Sequence, residues 1–117
     1  MHELSIVEAI IDQVEREIQR SGHHGRVTRL DLAIGRLSGV SVDSVRFAFE
    51  LLAPGTFLER AEVRIEEPRA SCVCRTCGRR TEIDELVVDC PRCGSADISI
   101  EGGRDLLLQT IDLEELG

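Results

Sequence analysis

Aromatic residues are scarce in this chain of 117 residues, which has no Trp, no Tyr and only three Phe. Hydrophobic residues nevertheless make up 42% of the sequence. We therefore expect a modest core of aliphatic side chains, and such a core gains from an added stabilising element such as a bound metal. The length suits one compact domain, or one domain that carries a small insert.

Lysine is absent as well, since all fourteen basic residues are Arg, and the 22 acidic residues give a formal net charge of −8. An acidic surface repels the phosphate backbone and argues against a nucleic-acid partner. The cysteine-containing stretch from residue 69 to residue 101 has no basic excess either, because five Arg face six acidic residues there. The charge balance instead suits a basic protein surface or a cation.

Long apolar runs are also missing, because no uninterrupted segment approaches the roughly 20 residues that a membrane helix needs. The start of the chain, Met1–Leu4, lacks the basic region of a secretory signal. We therefore expect a cytoplasmic protein that does not associate with membranes. In that compartment, paired cysteines are more often metal ligands than disulfides.

The spacing of apolar residues predicts two helices and three strands. The predicted helices cover residues 4–20 and 41–53, and the predicted strands cover residues 27–34, 61–66 and 106–113. Gly22 and Ser41 are suited to end the first helix and to begin the second. These elements predict an α+β fold in which two helices pack on a three-stranded sheet.

The composition changes between Pro68 and Gly103, where cysteines and short polar turns replace long periodic segments. We interpret this stretch as an inserted zinc-ribbon module. The predicted domains are therefore an α/β domain of residues 1–68 with 104–117, and a zinc-ribbon domain of residues 69–103.

Four of the five cysteines form two Cys-x-x-Cys-Gly turns. Cys74 and Cys77 make the first turn, and Cys90 and Cys93 make the second, with twelve residues between the turns. Two such turns supply four thiolates in the tetrahedral arrangement that zinc favours. The competing interpretations are two disulfides or four unrelated thiols. Four sulfur ligands leave no open position for a catalytic water, so this metal would be structural.

The identity of that metal and the role of the fifth cysteine are further questions. The paired turns also resemble rubredoxin, an iron electron carrier, but rubredoxin-like modules pack aromatic side chains around the iron. Residues 69–103 contain no aromatic residue, which favours zinc. Cys72 is interpreted as a spare thiol beside the site, the alternatives being a transient ligand or a second soft-metal site.

Histidine is rare, with only three in the chain. His23 and His24 lie between glycines in a predicted turn, where such a pair usually decorates a solvated loop. His2 differs, because its imidazole, the Met1 amine and the backbone nitrogens of His2 and Glu3 can form a square plane of nitrogens that suits Ni(II) or Cu(II). The plainer interpretation is a solvated histidine, followed by a glutamate that favours the helix dipole.

Together these motifs resemble the HypA/HybF hydrogenase nickel-incorporation proteins. The resemblance rests on Met1–Ser5 opening an amphipathic helix, on the segments Leu32–Gly35 and Phe47–Glu50, and on the two Cys-x-x-Cys turns, in that order along the whole chain. It implies a nickel metallochaperone, with Met1, His2 and Glu3 as the nickel site and Cys74, Cys77, Cys90 and Cys93 as the zinc ligands.

The resemblance also implies partners. Members of this family work with the GTPase HypB and deliver Ni(II) to the large subunit of [NiFe]-hydrogenase, and some also serve urease. We expect a monomer or a homodimer. The alternatives are a zinc-ribbon adaptor, a nucleic-acid-binding ribbon and a rubredoxin-like electron carrier. An enzyme is the weakest interpretation, because the sequence shows no Ser/His/Asp set, no phosphate-binding glycine loop and no open metal site.

Overall fold

The computed structural model describes residues 2–22 and 25–115. Its elements follow the order α1 (His2–Ser21), β1 (Gly25–Ile34), α2 (Val42–Leu52), β2 (Glu62–Glu66), β3 (Ala70–Cys74), β4 (Arg80–Ile83), β5 (Ile98–Glu101) and β6 (Leu106–Glu115). They form two three-stranded sheets, ordered β2-β1-β6 and β4-β3-β5. The predicted α+β class, with two helices and a three-stranded sheet, is confirmed.

The chain divides into two compact units, which we call the helical unit and the cysteine unit. The helical unit comprises Met1–Leu32, Ser41–Ile65 and Leu108–Gly117, and the cysteine unit comprises Ala33–Val40 and Glu66–Leu107. The segment Ala33–Val40 thus belongs with the cysteine-containing stretch. The assignment of a nickel-binding domain and a zinc-ribbon domain to the predicted boundaries stays a prediction.

Helix α1 forms because its apolar residues recur every three or four positions and can be buried together on one face. The buried residues of this face are Val7, Ile10, Ile11, Val14 and Ile18. The helix ends at Gly22, whose φ of 74° is a conformation that glycine adopts without strain. The Gly22 N–H donates to the carbonyl of Gln19 at 3.2 Å, as expected for a helix C-terminus.

Ser41 caps the N-terminus of helix α2, as the sequence predicts. The Ser41 Oγ accepts a hydrogen bond from the Ser44 N–H at 3.3 Å, and the Ser41 carbonyl accepts one from the Val45 N–H at 3.0 Å. Val45 and Ala48 of α2 are fully buried, and helices α1 and α2 contact each other. Leu30 and Leu32 of the central strand β1 are also fully buried. The aliphatic core expected from the composition therefore lies in the helical unit.

The cysteine unit is built around β3, the central strand of the second sheet. This strand pairs with β4 and β5 in antiparallel register, with Cys72 opposite Thr81 on one side and Ile100 on the other. Ala70 and Cys72 of β3 form a small buried core with Ile83 of β4. The sequence did not indicate these three short strands.

Backbone segments cross closely at one point of the cysteine unit. The Gly35 N–H donates to the Asp105 carbonyl at 2.9 Å, and the Leu37 N–H donates to the Gly103 carbonyl at 2.7 Å. A Cβ atom on Gly35 would overlap the Gly103 carbonyl, and one on Gly103 would lie 2.7 Å from the Ala70 nitrogen. Both positions therefore require glycine.

Candidate metal sites

The two cysteine turns have related hydrogen-bonding patterns. In the first turn, the Cys77 N–H donates to the Cys74 Sγ at 3.4 Å, and the Gly78 N–H donates to the Cys74 carbonyl at 3.0 Å. In the second turn, the Arg92 N–H donates to the Cys90 Sγ at 3.3 Å, and the Gly94 N–H donates to the Cys90 carbonyl at 2.8 Å. Each turn thus directs backbone N–H groups at its first sulfur, which stabilises a thiolate there.

Both turns close on a glycine in the left-handed region. The φ angles are 74° at Gly78 and 79° at Gly94, and other residues adopt such values only with strain. Side chains join the two turns as well, because the hydroxyl groups of Thr76 and Ser95 lie 2.8 Å apart. Arg75 reinforces this region through Asp97, with 2.6 Å between its Nε and the carboxylate. The turns are therefore held in place by the protein itself.

These turns bring all four predicted sulfurs together. The Sγ atoms of Cys74, Cys77, Cys90 and Cys93 all lie within 4.8 Å of one another. The Cys74–Cys93 pair is 3.6 Å apart and the Cys77–Cys90 pair is 3.8 Å apart. A tetrahedral site with metal–sulfur bonds of about 2.3 Å has sulfur–sulfur edges of about 3.8 Å. The cluster fits a four-sulfur metal site, and both pairs are farther apart than the about 2.0 Å of a disulfide bond.

The pKa values of the cysteines show which sulfurs the turns stabilise as thiolates. The hydrogen bond from Cys77 is the largest cause that lowers the pKa of Cys74, to about 6. The hydrogen bond from Cys93 likewise lowers the pKa of Cys90. The Ser95 N–H lowers the pKa of Cys93, but desolvation and the three neighbouring thiols outweigh it and raise that pKa to about 11. Four thiolates at this spacing need a cation to balance their charge.

Cys72 lies outside this cluster. Its side chain is 1% exposed and packs in the small core of the cysteine unit with Ala70 and Ile83. Burial is the main cause that raises the pKa of the Cys72 thiol. A buried, neutral thiol behaves as a small apolar side chain, which agrees with its interpretation as a spare cysteine.

The predicted nickel residues lie at the start of the helical unit. His2 is the first residue of α1 and is exposed, whereas Glu3 is half-buried. Met1, His23 and His24 fall outside the described residues. Within residues 2–22 and 25–115, the four cysteines are the only group of three or more His, Cys, Asp or Glu side chains positioned to hold a metal. A nickel site at the N-terminus would therefore depend largely on main-chain nitrogens.

Two further sets of contacts had no signal in the sequence. The Ser41 N–H donates to the Glu3 Oε2 at 3.5 Å, which joins positions 38 residues apart. In the cysteine unit, Asp84 accepts hydrogen bonds from Arg69 at 2.8 Å and from Arg36 at 2.9 Å. A single sequence does not reveal such pairs, because each depends on the folded path of the chain.

Comparisons with known proteins identify the family of this chain. A family model described as "Hydrogenase/urease nickel incorporation, metallochaperone, hypA" matches residues 1–113. The hydrogenase maturation factor HypA of Chlorobium limicola is 42% identical over 115 residues, which cover 98% of each chain. The HypA of Methanocaldococcus jannaschii is 33% identical over 97% of this chain and 98% of its own.

Solved structures show the same fold. The solution structure of the nickel metallochaperone HypA from Helicobacter pylori has a TM-score of 0.65 and 21% identity, covering 95% of this chain and 96% of that chain. A second HypA solution structure has a TM-score of 0.68 and 22% identity, covering 97% of both chains.

The fold and the cysteine cluster define a metal-handling protein with a built four-sulfur site. The extent of the family match makes the assignment specific: the chain belongs to the HypA family of hydrogenase/urease nickel-incorporation metallochaperones. The recognition from sequence is thereby confirmed, and so is the expectation of a non-enzymatic function, since this is a family of metallochaperones. In the part of the chain that the structure describes, no helix has both the length and the apolar character to cross a membrane.

Proposed function

We propose that this chain binds Ni(II) at its N-terminus and delivers it during the maturation of [NiFe]-hydrogenase. The ligands are the Met1 amine, the His2 imidazole and the backbone nitrogens of His2 and Glu3. The observation that carries the proposal is the position of His2, exposed at the first residue of α1, in a chain that belongs to a nickel-incorporation family.

The start of a helix suits this ligand set for a physical reason. The first four N–H groups of an α-helix have no acceptor within the helix. Since α1 begins at His2, the N–H groups of His2 and Glu3 are among these four. Nickel can therefore replace their protons without breaking hydrogen bonds inside the helix. Tetragonal nitrogen coordination is also a geometry that Ni(II) favours.

We further propose that Cys74, Cys77, Cys90 and Cys93 hold one structural Zn(II). The sulfur spacing supports a tetrahedral metal, and the absence of aromatic residues from residues 69–103 favours zinc over a rubredoxin-like iron. Zinc bound by four thiolates has no open position, so this ion stabilises the fold. Metal analysis of the purified protein should give one zinc per chain in a colourless sample. A red protein with a reversible one-electron couple would support iron instead.

The partners follow from the same proposal. A HypB-type GTPase and the large subunit of [NiFe]-hydrogenase are the expected partners, and the family description makes urease a second possible destination for the nickel. The net charge of −8 suits protein partners with basic surfaces better than nucleic acid.

Titration with Ni(II) tests the function directly. We expect the wild-type protein to bind one Ni(II) at the N-terminus and the His2→Ala variant to lose this stoichiometric binding while its zinc content stays unchanged. The matched control is the variant His23→Ala/His24→Ala, which removes the other two histidines and should bind nickel as the wild type does. Retained binding in His2→Ala would exclude the N-terminal site, and lost binding in the control would move the site to residues 23 and 24.

A further inference from the structure

The loop between β4 and the second cysteine turn, residues 84–89, carries the two most exposed large apolar side chains in the described part of the chain. The exposed fraction is 67% for Leu86 and 79% for Val88. Val87, between them, is half-buried and packs against the small core of the cysteine unit. Leu86 and Val88 therefore both face the solvent, on either side of an inward-facing residue.

This loop is held in place at its start, its middle and its end. Asp84 accepts a hydrogen bond from Arg69 at 2.8 Å, and Val87 packs on the core. Just beyond the loop, Cys90 is buried and its N–H donates to the Ser95 carbonyl at 2.8 Å. A segment fixed in this way loses little conformational entropy when a partner binds it. The outward apolar pair is thus presented in a preformed arrangement.

The charges around the loop leave two carboxylates over. Four charged side chains next to its start balance one another in ion pairs: Arg36, Arg69, Glu82 and Asp84. Glu85 and Asp89, which border the apolar pair, are exposed and make no ion pair with the described residues. Residues 81–91 contain no basic residue at all. The exposed apolar pair is therefore bordered by negative charge on both sides.

Helix α2 carries another exposed apolar pair, which lacks this charge pattern. Phe47 and Leu51 are four residues apart and are 51% and 55% exposed. The charged residues of the same helix have both signs, since Asp43 and Glu50 accompany Arg46. This surface does not select a partner by charge, and it supplies a matched control for the loop.

We propose that residues 84–89 dock a protein partner whose surface presents an apolar patch bordered by Arg or Lys. The choice of the partners to be tested rests on the function proposed above. Leu86 and Val88 bury apolar area against the patch, and the flanking carboxylates orient the partner and speed association. A second copy of the chain is a poor occupant, because its loop carries the same negative charges and the chain has a net charge of −8.

Removal of the apolar pair tests the docking surface. The probes are the purified HypB-type GTPase and the purified large subunit of [NiFe]-hydrogenase, each titrated by calorimetry against the full chain without nickel. We expect at least one of them to bind the wild type, and Leu86→Ser/Val88→Ser to bind it about tenfold more weakly. Zinc content and thermal unfolding should not change, because both side chains are exposed.

The matched control for this titration is Phe47→Ser/Leu51→Ser, which removes the apolar pair of α2 and should bind within about twofold of the wild type. Unchanged binding in the loop variant, or equal weakening in the loop variant and the control, would overturn the proposal.

Removal of the flanking charges tests the basic border of the partner. Glu85→Gln/Asp89→Asn should bind about threefold more weakly than the wild type, and its binding should depend less on salt concentration. The control Asp43→Asn/Glu50→Gln removes two carboxylates from α2 and should keep the wild-type affinity and salt dependence. Unchanged affinity and salt dependence in the loop variant would exclude the basic border.

The remaining outcomes separate this proposal from the proposed function. A wild-type dimer in analytical ultracentrifugation that dissociates in Leu86→Ser/Val88→Ser would assign the loop to a second copy and overturn the proposal. If neither probe protein binds the wild type, the docking proposal fails as well. In both cases the nickel titration of His2→Ala still decides the proposed nickel site, because no residue of the loop belongs to that site.

Discussion

The helical unit and the cysteine unit present their metal-binding groups in opposite ways. In the cysteine unit, two turns bring four sulfurs to within 4.8 Å of one another, and backbone N–H groups point at two of them. In the helical unit, the proposed ligands belong to consecutive residues at the start of α1, and His2 is exposed to solvent. The four-sulfur cluster is assembled by tertiary structure, whereas the proposed nickel site would be formed by neighbouring residues of a single segment.

This difference suits different tasks for the two metals. A closed four-sulfur site keeps its ion, because release requires both turns to open together. A site made from adjacent residues at a helix N-terminus can give up its ion without disturbing the core, because Val7 and Val14 remain packed below it. The comparison therefore predicts that metal loss has large structural effects in the cysteine unit and small ones in the helical unit.

The largest expected effect comes from removing one sulfur of the cluster. Cys74→Ser should lose zinc and destabilise the cysteine unit by several kcal/mol, because structural zinc contributes directly to folding free energy. Thermal unfolding followed by circular dichroism, together with metal analysis, measures both changes. A strong chelator added to the wild-type protein should have the same effect.

The matched control for this prediction is Cys72→Ala. Cys72 belongs to the same strand but not to the sulfur cluster, so this variant should keep one zinc per chain. Amide hydrogen exchange should show that the chelator exposes β3 and leaves α1 protected. Loss of protection in α1, or full zinc content in Cys74→Ser, would contradict the proposed division of roles.

A smaller effect is expected at Gly35. Its Cβ would overlap the carbonyl of Gly103, so Gly35→Ala should destabilise the protein by about 3 kcal/mol, at the upper end of typical overpacking costs. Gly55 of the helical unit is the control, because it has a φ of 82° but nothing within 4 Å of an added Cβ. Gly55→Ala should cost only about 1 kcal/mol from backbone strain. Equal costs in urea denaturation would argue against the close crossing in the cysteine unit.

The two units also differed in how much their sequences revealed. Helix α1 was predictable because it buries one continuous stripe from Val7 to Ile18 and ends at Gly22, and the cap of α2 was predictable from Ser41. The cysteine cluster was predictable because the spacing of each turn fixes local geometry. In all of these cases, the signal lies within a few residues along the chain.

The short strands of the cysteine unit gave no such signal. Strand β4 has four residues, Arg80–Ile83, of which only Ile83 is apolar, so its sequence shows no apolar alternation. It exists because it pairs with β3, and pairing is a tertiary property. The same holds for the contact between Glu3 and Ser41 and for the inclusion of Ala33–Val40 in the cysteine unit. These features depend on tertiary contacts between segments that are far apart in the sequence.

The smallest predicted effect concerns Asp84, which adds an electrostatic contribution to the stability of the cysteine unit. Hydrogen bonds from Arg69 lower the pKa of Asp84, and the charge of Arg36 adds to this effect. A carboxyl whose pKa is lower in the folded state stabilises the protein above its unfolded pKa of about 3.9. That contribution is lost as the pH falls through the lower folded pKa.

The difference in stability between the wild type and Asp84→Asn should therefore be present at pH 7 and disappear in strong acid. It should also shrink at high salt, since these side chains are exposed to solvent. Glu85→Gln is a suitable control, because Glu85 is exposed and makes no ion pair with the described residues, so its variant should show no comparable loss. A difference that grew on acidification would contradict the assigned ion pairs.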